Sequence, residues 1–183
     1  MNTKDNRLKA HNMIDHIFKD LFPRHGMAQR PAQIQLSHEM LDAMLGVKIA
    51  LCDAGTGIGK TYAYLVSAVV ADLQMGANHR PILISTSSIA LQNAVQNEYL
   101  PLLSCILIAD GVIDYPLKAI TRKGKSHYVC DRRLERRLRQ TDIKKKNPKA
   151  AAALCVLQEN LDMDRVPHLS RYDRERVCVP RIC

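Results

Sequence analysis

The residues with the clearest chemical capacity form one nine-residue run, Asp53-Ala54-Gly55-Thr56-Gly57-Ile58-Gly59-Lys60-Thr61. Within it, Ala54-x-x-x-x-Gly59-Lys60-Thr61 is the phosphate-loop pattern with alanine in place of the first glycine. Glycines 55, 57 and 59 let the backbone turn tightly and aim successive N–H groups at phosphates, and a helix starting near Lys60 adds its positive dipole end. In such a loop Lys60 reaches the β- and γ-phosphates and Thr61 offers its hydroxyl to Mg²⁺. The competing reading is a glycine-rich connection with an incidental lysine. The pattern names a nucleotide phosphate and no particular activity, because many unrelated functions share it.

The second reactive set is the cysteines at 52, 105, 130, 155, 178 and 183. Four thiolates saturate the corners of an iron–sulphur cluster, soft ligands suiting a soft metal. Cys130, Cys178 and Cys183 are the candidates, the last two as C-x4-C, with Cys155 a weaker substitute. By spacing alone the cluster is the minority reading, since zinc or free thiols would serve as well. Cys52 and Cys105 lie in apolar runs and are expected to be inert core residues.

The elements that must position these groups follow from periodicity. Met13 to Phe22 and Gln33 to Leu45 place their apolar residues on one helical face, with Pro23 expected to end the first run. Val47 to Cys52 is a short apolar run entering the glycine-rich turn, and Lys60 to Gln74 has the alanines and the Gly76 stop of a helix. Pro81 to Thr86 and Cys105 to Ala109 are further strand candidates, separated by a helix from about Ser88 to Tyr99. Strands alternating with helices predict a parallel α/β sheet. After Cys130 the texture becomes helical and basic, with Asp131 capping one helix and Asn147-Pro148 opening another.

Charge is concentrated as well. The chain has 183 residues, 27 Lys+Arg and 18 Asp+Glu, a net charge of +9. Residues 121–149 hold 12 basic and three acidic side chains, so they carry the whole excess. Such a field suits a polyanion, nucleic-acid phosphate above all, or a solvated helix that keeps the protein dispersed. No stretch approaches the roughly 20 apolar residues of a membrane span, and the polar N-terminus does not read as a secretory signal. The expected location is the cytoplasm, with no membrane partner.

The wording of the motifs resembles one family, the DinG/XPD-like iron–sulphur DNA helicases. Residues 53–61 resemble its E-A-G-T-G-T-G-K-T loop, with Asp53 for the usual glutamate. Arg30-Pro-Ala-Gln33 resembles the R-x-x-Q element, whose glutamine reads adenine in that family. Ser85-Thr86-Ser87 with Leu91-Gln92 resembles motif Ia, which grips the single-strand backbone. Lys123-Gly-Lys-Ser-His-Tyr-Val-Cys130 is similar to K-G-R-x-N-Y-x-C, which delivers the first cluster cysteine; His127 stands where asparagine is usual. The resemblance covers about residues 28–183.

The resemblance implies an ATP-dependent helicase acting on single-stranded or forked DNA, moving 5′ to 3′, with ATP, Mg²⁺ and a [4Fe-4S] cluster. Arg30, Gln33, Ala54, Gly55, Thr56, Gly57, Ile58, Gly59, Lys60 and Thr61 would bind ATP, with Lys60 and Thr61 catalytic. Thr86, Lys123, Lys125, Tyr128 and Arg132 would contact DNA, and Cys130, Cys178 and Cys183 would hold the cluster. The expected fold is an incomplete RecA-like first motor domain over residues 1–121 with a basic helical cluster-bearing insert over 122–183. No D-E-x-H box follows, and Gly111 stands where the catalytic glutamate would follow Cys105-Ile-Leu-Ile-Ala-Asp110, so the chain reads as an N-terminal piece. A binding fragment without turnover, and a non-helicase P-loop NTPase with a zinc-stabilised insert, are the alternatives.

Overall fold

A computed structural model describes residues 3–46, 48–76, 81–140, 147–166 and 168–180. The chain divides into two compact units, residues 1–121 and 122–183.

In the first unit, α1 (Thr3–His16) runs through a wide π turn (Ile17–Leu21) and a last turn (Phe22–Arg24). Then come α2 (Pro31–Gly46), α3 (Lys60–Met75), α4 (Ile89–Ala94), a second π turn (Val95–Tyr99) and α5 (Leu100–Ala109). Helices α2 and α3 pack most extensively on each other, and α1 lies against both. Ile14, Phe18 and Phe22 from the first helix, Leu41 from α2, Val66 and Val70 from α3 and Ile106 from α5 meet in the core. Two buried hydroxyls fix the α2–α3 register: Ser37 donates to the Ala63 carbonyl at 3.0 Å, Ser67 to the Ser37 carbonyl at 2.8 Å.

Each π turn ends two residues ahead of a proline, Pro23 or Pro101. A proline inside a helix clashes with the carbonyl four residues back. The turn widens instead, the N–H of Phe22 reaching the Ile17 carbonyl and that of Leu100 the Val95 carbonyl. Pro23 lies inside the last turn, and the helix ends at Arg24, one residue past the expected stop.

The larger correction concerns fold class. Among the described residues there is no strand and no sheet, so the expected RecA-like parallel α/β sheet is absent. Segment 48–52 has no regular structure, with Ile49 94% and Leu51 96% exposed; Val47 lies outside the described residues. Segment 81–86 has none either, with Leu83 90% exposed. A strand exists only through a partner's ladder of hydrogen bonds, and among the described residues neither segment has one. Cys105–Ala109 is the end of α5. Pro101 sits at its favoured first-turn position, and Leu103, Ile106 and Leu107 are buried at i, i+3 and i+4 spacing.

The second unit contains α6 (Asp131–Leu138), α7 (Pro148–Val156) and α8 (Arg171–Val177), with single 3₁₀ turns at Lys125–His127 and Met163–Arg165. Asn147 caps α7, accepting from the Ala150 N–H, and Ser170 caps α8 from the Asp173 N–H. Cys130, rather than Asp131, holds the cap position of α6. Two isolated antiparallel bridges, Tyr128 with Asp162 and Val129 with Cys178, close the unit over Leu134, Leu154, Leu157, Met163 and Val177.

Candidate functional site

The glycine-rich loop enters α3 through two residues with positive φ, Gly57 at 83° and Gly59 at 87°. Gly59 is the cap of α3, and Lys60 is its first residue. The Lys60 ammonium folds back onto the loop, donating to the Ala54 carbonyl at 2.8 Å and the Gly55 carbonyl at 3.2 Å. Among the described residues no protein acceptor takes the N–H groups of Gly55 to Ile58. They are donors of the kind a phosphate needs. Thr61 follows, half-buried, at the second position of the helix.

The R-x-x-Q residues lie on this loop. Arg30 donates from Nη1 to the Gly57 carbonyl at 2.6 Å, and Gln33, buried in α2, donates from Nε2 to the Gly59 carbonyl at 2.7 Å. They thus reach the carbonyls of the two residues whose φ is positive. The approach at Gly59 is close: a Cβ there would stand 2.2 Å from Gln33 Nε2. Thr86 begins the turn into α4, its hydroxyl accepting from the Ser88 N–H at 3.1 Å.

Asp110, which ends the α5 segment, is engaged elsewhere. It accepts from His16 Nε2 at 2.9 Å and from Arg24 at 3.2 Å. The hydrogen bond to Asp110, followed by that to Asp20, raises the His16 pKa above the ordinary histidine value.

In the second unit the structure redistributes the basic segment. Lys123, expected on DNA, has a side chain only 4% exposed and pairs with Asp162 at 2.8 Å and Asp164 at 3.2 Å. Burial opposes its charge, but the hydrogen bonds to those carboxylates outweigh it and hold the lysine above its ordinary pKa. Asp164 also binds Arg174 at 2.9 Å and His127 at 3.0 Å; burial is outweighed there too, and the carboxyl lies below its ordinary value. Arg137 is drawn onto buried Asp173 at 2.8 Å, and Arg133 donates to the Cys178 carbonyl at 3.1 Å. Lys123 therefore cannot serve as the expected phosphate contact. Arg132 and Arg136 remain exposed on α6 and Arg139 at its C-cap, at helical spacing, Arg139 beside Glu135. Lys125 is exposed as well. Tyr128 is half-buried, its hydroxyl accepting from the Lys123 N–H at 3.4 Å.

Cys130 and Cys178 occupy neighbouring rungs of one short pairing: the Cys130 N–H donates to the Val177 carbonyl at 2.8 Å, and the Val179 N–H to the Tyr128 carbonyl at 2.9 Å. Their backbones are thereby neighbours, and the Cys178 Sγ donates to the Glu175 carbonyl at 3.5 Å. Cys183 lies outside the described residues, and among those residues no cluster of three or more metal-ligating side chains forms. Cys52 is half-buried, while Cys105 and Cys155 are exposed. The buried-core reading of Cys52 and Cys105 therefore fails. An apolar neighbourhood in sequence does not bury a thiol on the outer side of a helix.

Sequence reasoning missed Asp162 and Asp164, the partners that bury Lys123; an acidic D-x-D in a basic unit was the available signal. Among the described residues no helix is long and apolar enough to cross a membrane.

Comparison with known proteins gives relatives that include several named DinG. The chain is 33% identical over 117 residues to the 3'-5' exonuclease DinG of Bacillus subtilis, covering 64% of this chain and 12% of that protein. It is 28% identical over 116 residues to that of Staphylococcus epidermidis, and 27% identical over 104 residues to that of Staphylococcus aureus strain USA300, covering 63% and 57% of this chain. The chain spans about an eighth of the length of these curated relatives, 12%, 12% and 11% respectively. No protein-family model and no solved structure matches it. The sequence is DinG-like.

Proposed function

We propose that this DinG-like chain carries the ATP-binding elements of a DNA helicase, with ATP and Mg²⁺ held at residues 54–61 and single-stranded or forked DNA as the polymer. One observation supports the reading most: Arg30 and Gln33 hold the carbonyls of Gly57 and Gly59, so two motifs matched independently in sequence form one site. With those carbonyls held from behind, the loop N–H groups are left to the phosphates. Lys60 would exchange the Ala54 and Gly55 carbonyls for the β- and γ-phosphates, and Thr61 would meet Mg²⁺. Gln33 commits one amide hydrogen to Gly59, and the resemblance assigns the rest of that amide to adenine. Movement 5′ to 3′ comes from the resemblance alone.

For DNA, Arg132, Arg136 and Arg139 offer guanidinium groups to phosphates, with Lys125, Tyr128 and Thr86 as further contacts; Lys123 is withdrawn from the set. Cys130, Cys178 and Cys183 would hold a [4Fe-4S] cluster, or zinc in the alternative, which would tie the start of α6 covalently to the end of α8.

A second reading, nucleotide binding without turnover, is favoured by the engagement of Asp110 with His16 and Arg24. The deciding experiment titrates Mg·ATP against the protein and Lys60→Ala, then measures phosphate release with and without single-stranded DNA. Removing the only lysine of the loop should weaken binding by on the order of tenfold or more. Equal affinity in the two proteins overturns the site. Binding without DNA-stimulated release selects the second reading.

A further inference from the structure

Planar side chains on which an unpaired base could stack are scarce in this chain. It has no tryptophan, two phenylalanines and six tyrosines. Phe18 and Phe22 are buried, and Tyr62, Tyr64, Tyr99 and Tyr128 are half-buried. Two rings stand in solvent, Tyr115 at 65% and Tyr172 at 54% exposure. Of these, among the described residues, Tyr172 has arginines against it. The Arg176 guanidinium lies over its ring at 4.3 Å from the centroid, and that of Arg137 at 5.3 Å.

The fold fixes this group before any ligand arrives. Tyr172 and Arg176 are one turn apart on α8, so ring and guanidinium meet on one helix face. Arg137 comes from α6; it donates to Asp173 from Nε at 3.0 Å and Nη2 at 2.8 Å, and to Gln140 from Nη1 at 2.7 Å. Asp173, 4% exposed, also accepts from the Ser170 hydroxyl at 2.6 Å. With Arg137 pinned beside it, the ring gives up little freedom when a ligand lands on it. Glu175 is taken by Arg171 at 3.0 Å and Glu135 by Arg139 at 3.5 Å. Among the described residues, exposed Arg132, Arg136 and Arg176 have no carboxylate within ion-pair distance. The unit thus presents an open ring together with cations left to a partner's charge.

We propose that Tyr172, steadied by Arg137 and Arg176, is a stacking platform for an unpaired base of single-stranded nucleic acid, with Arg176 meeting an adjacent phosphate. The occupant follows from the chemistry. A π face beside unpaired guanidinium groups suits a ligand that is both planar and anionic, and a single strand is both at every nucleotide. A duplex offers phosphates but keeps its bases stacked inside, so the platform adds to single-strand binding and nothing to duplex binding. It extends the proposed DNA surface from α6 to α8 and rests on that reading.

The test compares binding of an oligothymidylate, an abasic strand of the same length and a duplex by the protein, Tyr172→Leu, Tyr172→Phe and Arg176→Gln. Tyr172→Leu should weaken oligothymidylate binding roughly tenfold, leave abasic and duplex binding unchanged, and keep the salt slope, because stacking releases no counterions. Tyr172→Phe should bind as the parent does. Arg176→Gln should flatten the single-strand salt slope by about 0.7; an unchanged slope overturns its phosphate role. In a chain without tryptophan, Tyr172→Trp places one emitter at the platform, which the oligothymidylate should quench and the abasic strand should not. Equal oligothymidylate affinity in Tyr172→Leu and the parent overturns the platform, and so does an equal loss on the abasic strand. If Tyr172→Leu fails to fold, the quenching decides. Affinity lost in Arg132→Gln but kept in Tyr172→Leu removes the platform and leaves the DNA reading standing, whereas no binding of any strand by the protein removes both.

Discussion

The two units hold themselves together by different means. Residues 1–121 close over large apolar side chains, with Ile14, Ile17, Phe18 and Leu21 all at 2% exposure or less, and admit polarity chiefly as the Ser37–Ser67 hydroxyl pair. Residues 122–183 have a smaller core and surround it with ion pairs: Lys123 with Asp162 and Asp164, Arg174 with Asp164, Arg137 with Asp173. An apolar core tolerates any solvent that leaves water cohesive, whereas a paired interior depends on every partner being present and ionised. The difference also teaches how charge counts are to be read. The segment that carries the +9 directs Lys123, Arg133 and Arg137 inward, so its surface is less basic than its sequence.

Breaking each unit by its own mechanism separates them most sharply. Phe18→Ala removes a buried ring and should cost about 3–5 kcal/mol in the first unit. Hydrogen exchange read separately for each unit would show protection lost before residue 121 and kept after it; equal loss in both would mean that the units do not fold separately. Lys123→Ala is the counterpart, leaving two largely buried carboxylates short of a cation, with an expected cost of about 3 kcal/mol confined to the second unit. Exchange rates there equal to those of the parent would show that Arg174 and Arg165 suffice.

At the loop, Gly59→Ala should cost about 1–3 kcal/mol, from positive φ and from the approach of Gln33 together. Gln33→Ala removes the clash and also the Gln33–Gly59 hydrogen bond, so the double variant should cost less than the sum of the two single variants. Additive costs would place the whole effect of Gly59→Ala in the backbone.

Acid should distinguish the interiors more gently. The folded Asp164 lies below the ordinary value of 3.8, so its contribution is present above that pH and is lost as pH falls through the folded value. Asp164→Asn should flatten the acid limb of the second unit's stability below pH 4; an unchanged limb would assign that limb to other groups. The smallest effect is expected from Arg132→Gln, Arg136→Gln and Arg139→Gln, each within about 0.5 kcal/mol of the parent. Single-strand affinity and its salt slope, measured on the same variants, should fall if α6 contacts phosphates.

Much of the helical framework was legible. The runs around 13–22, 33–45 and 60–74 carry helical spacing that the structure honours, the helix opened at Asn147-Pro148 ends at Val156 short of the expected Leu161, and the glycine-rich loop leads into its helix but has no strand before it among the described residues. The strands were not. Segments 48–52 and 81–86 have the composition of buried strands, but pairing is a property of two segments and cannot be read from one. Cys105–Ala109 is apolar throughout, so its period was ambiguous, and Pro101 decides for helix. Lys123 was misjudged because its partners lie 39 and 41 residues away. Local composition records charge and is silent on what the fold sets against it.

The two prolines act as phase shifters for the helices they interrupt. A turn widened by one residue rotates the remainder of the helix by about 100° relative to an uninterrupted α-helix. Pro101→Ala would let the turn at Val95–Tyr99 narrow, and Leu103, Ile106 and Leu107 would then have to swing off the core or drag the preceding turn, with Tyr99 and its edge contact to Tyr62, out of place. A substitution that raises intrinsic helix propensity would in this position unfasten the helix from its neighbours, because the proline sets the angle at which the apolar stripe arrives.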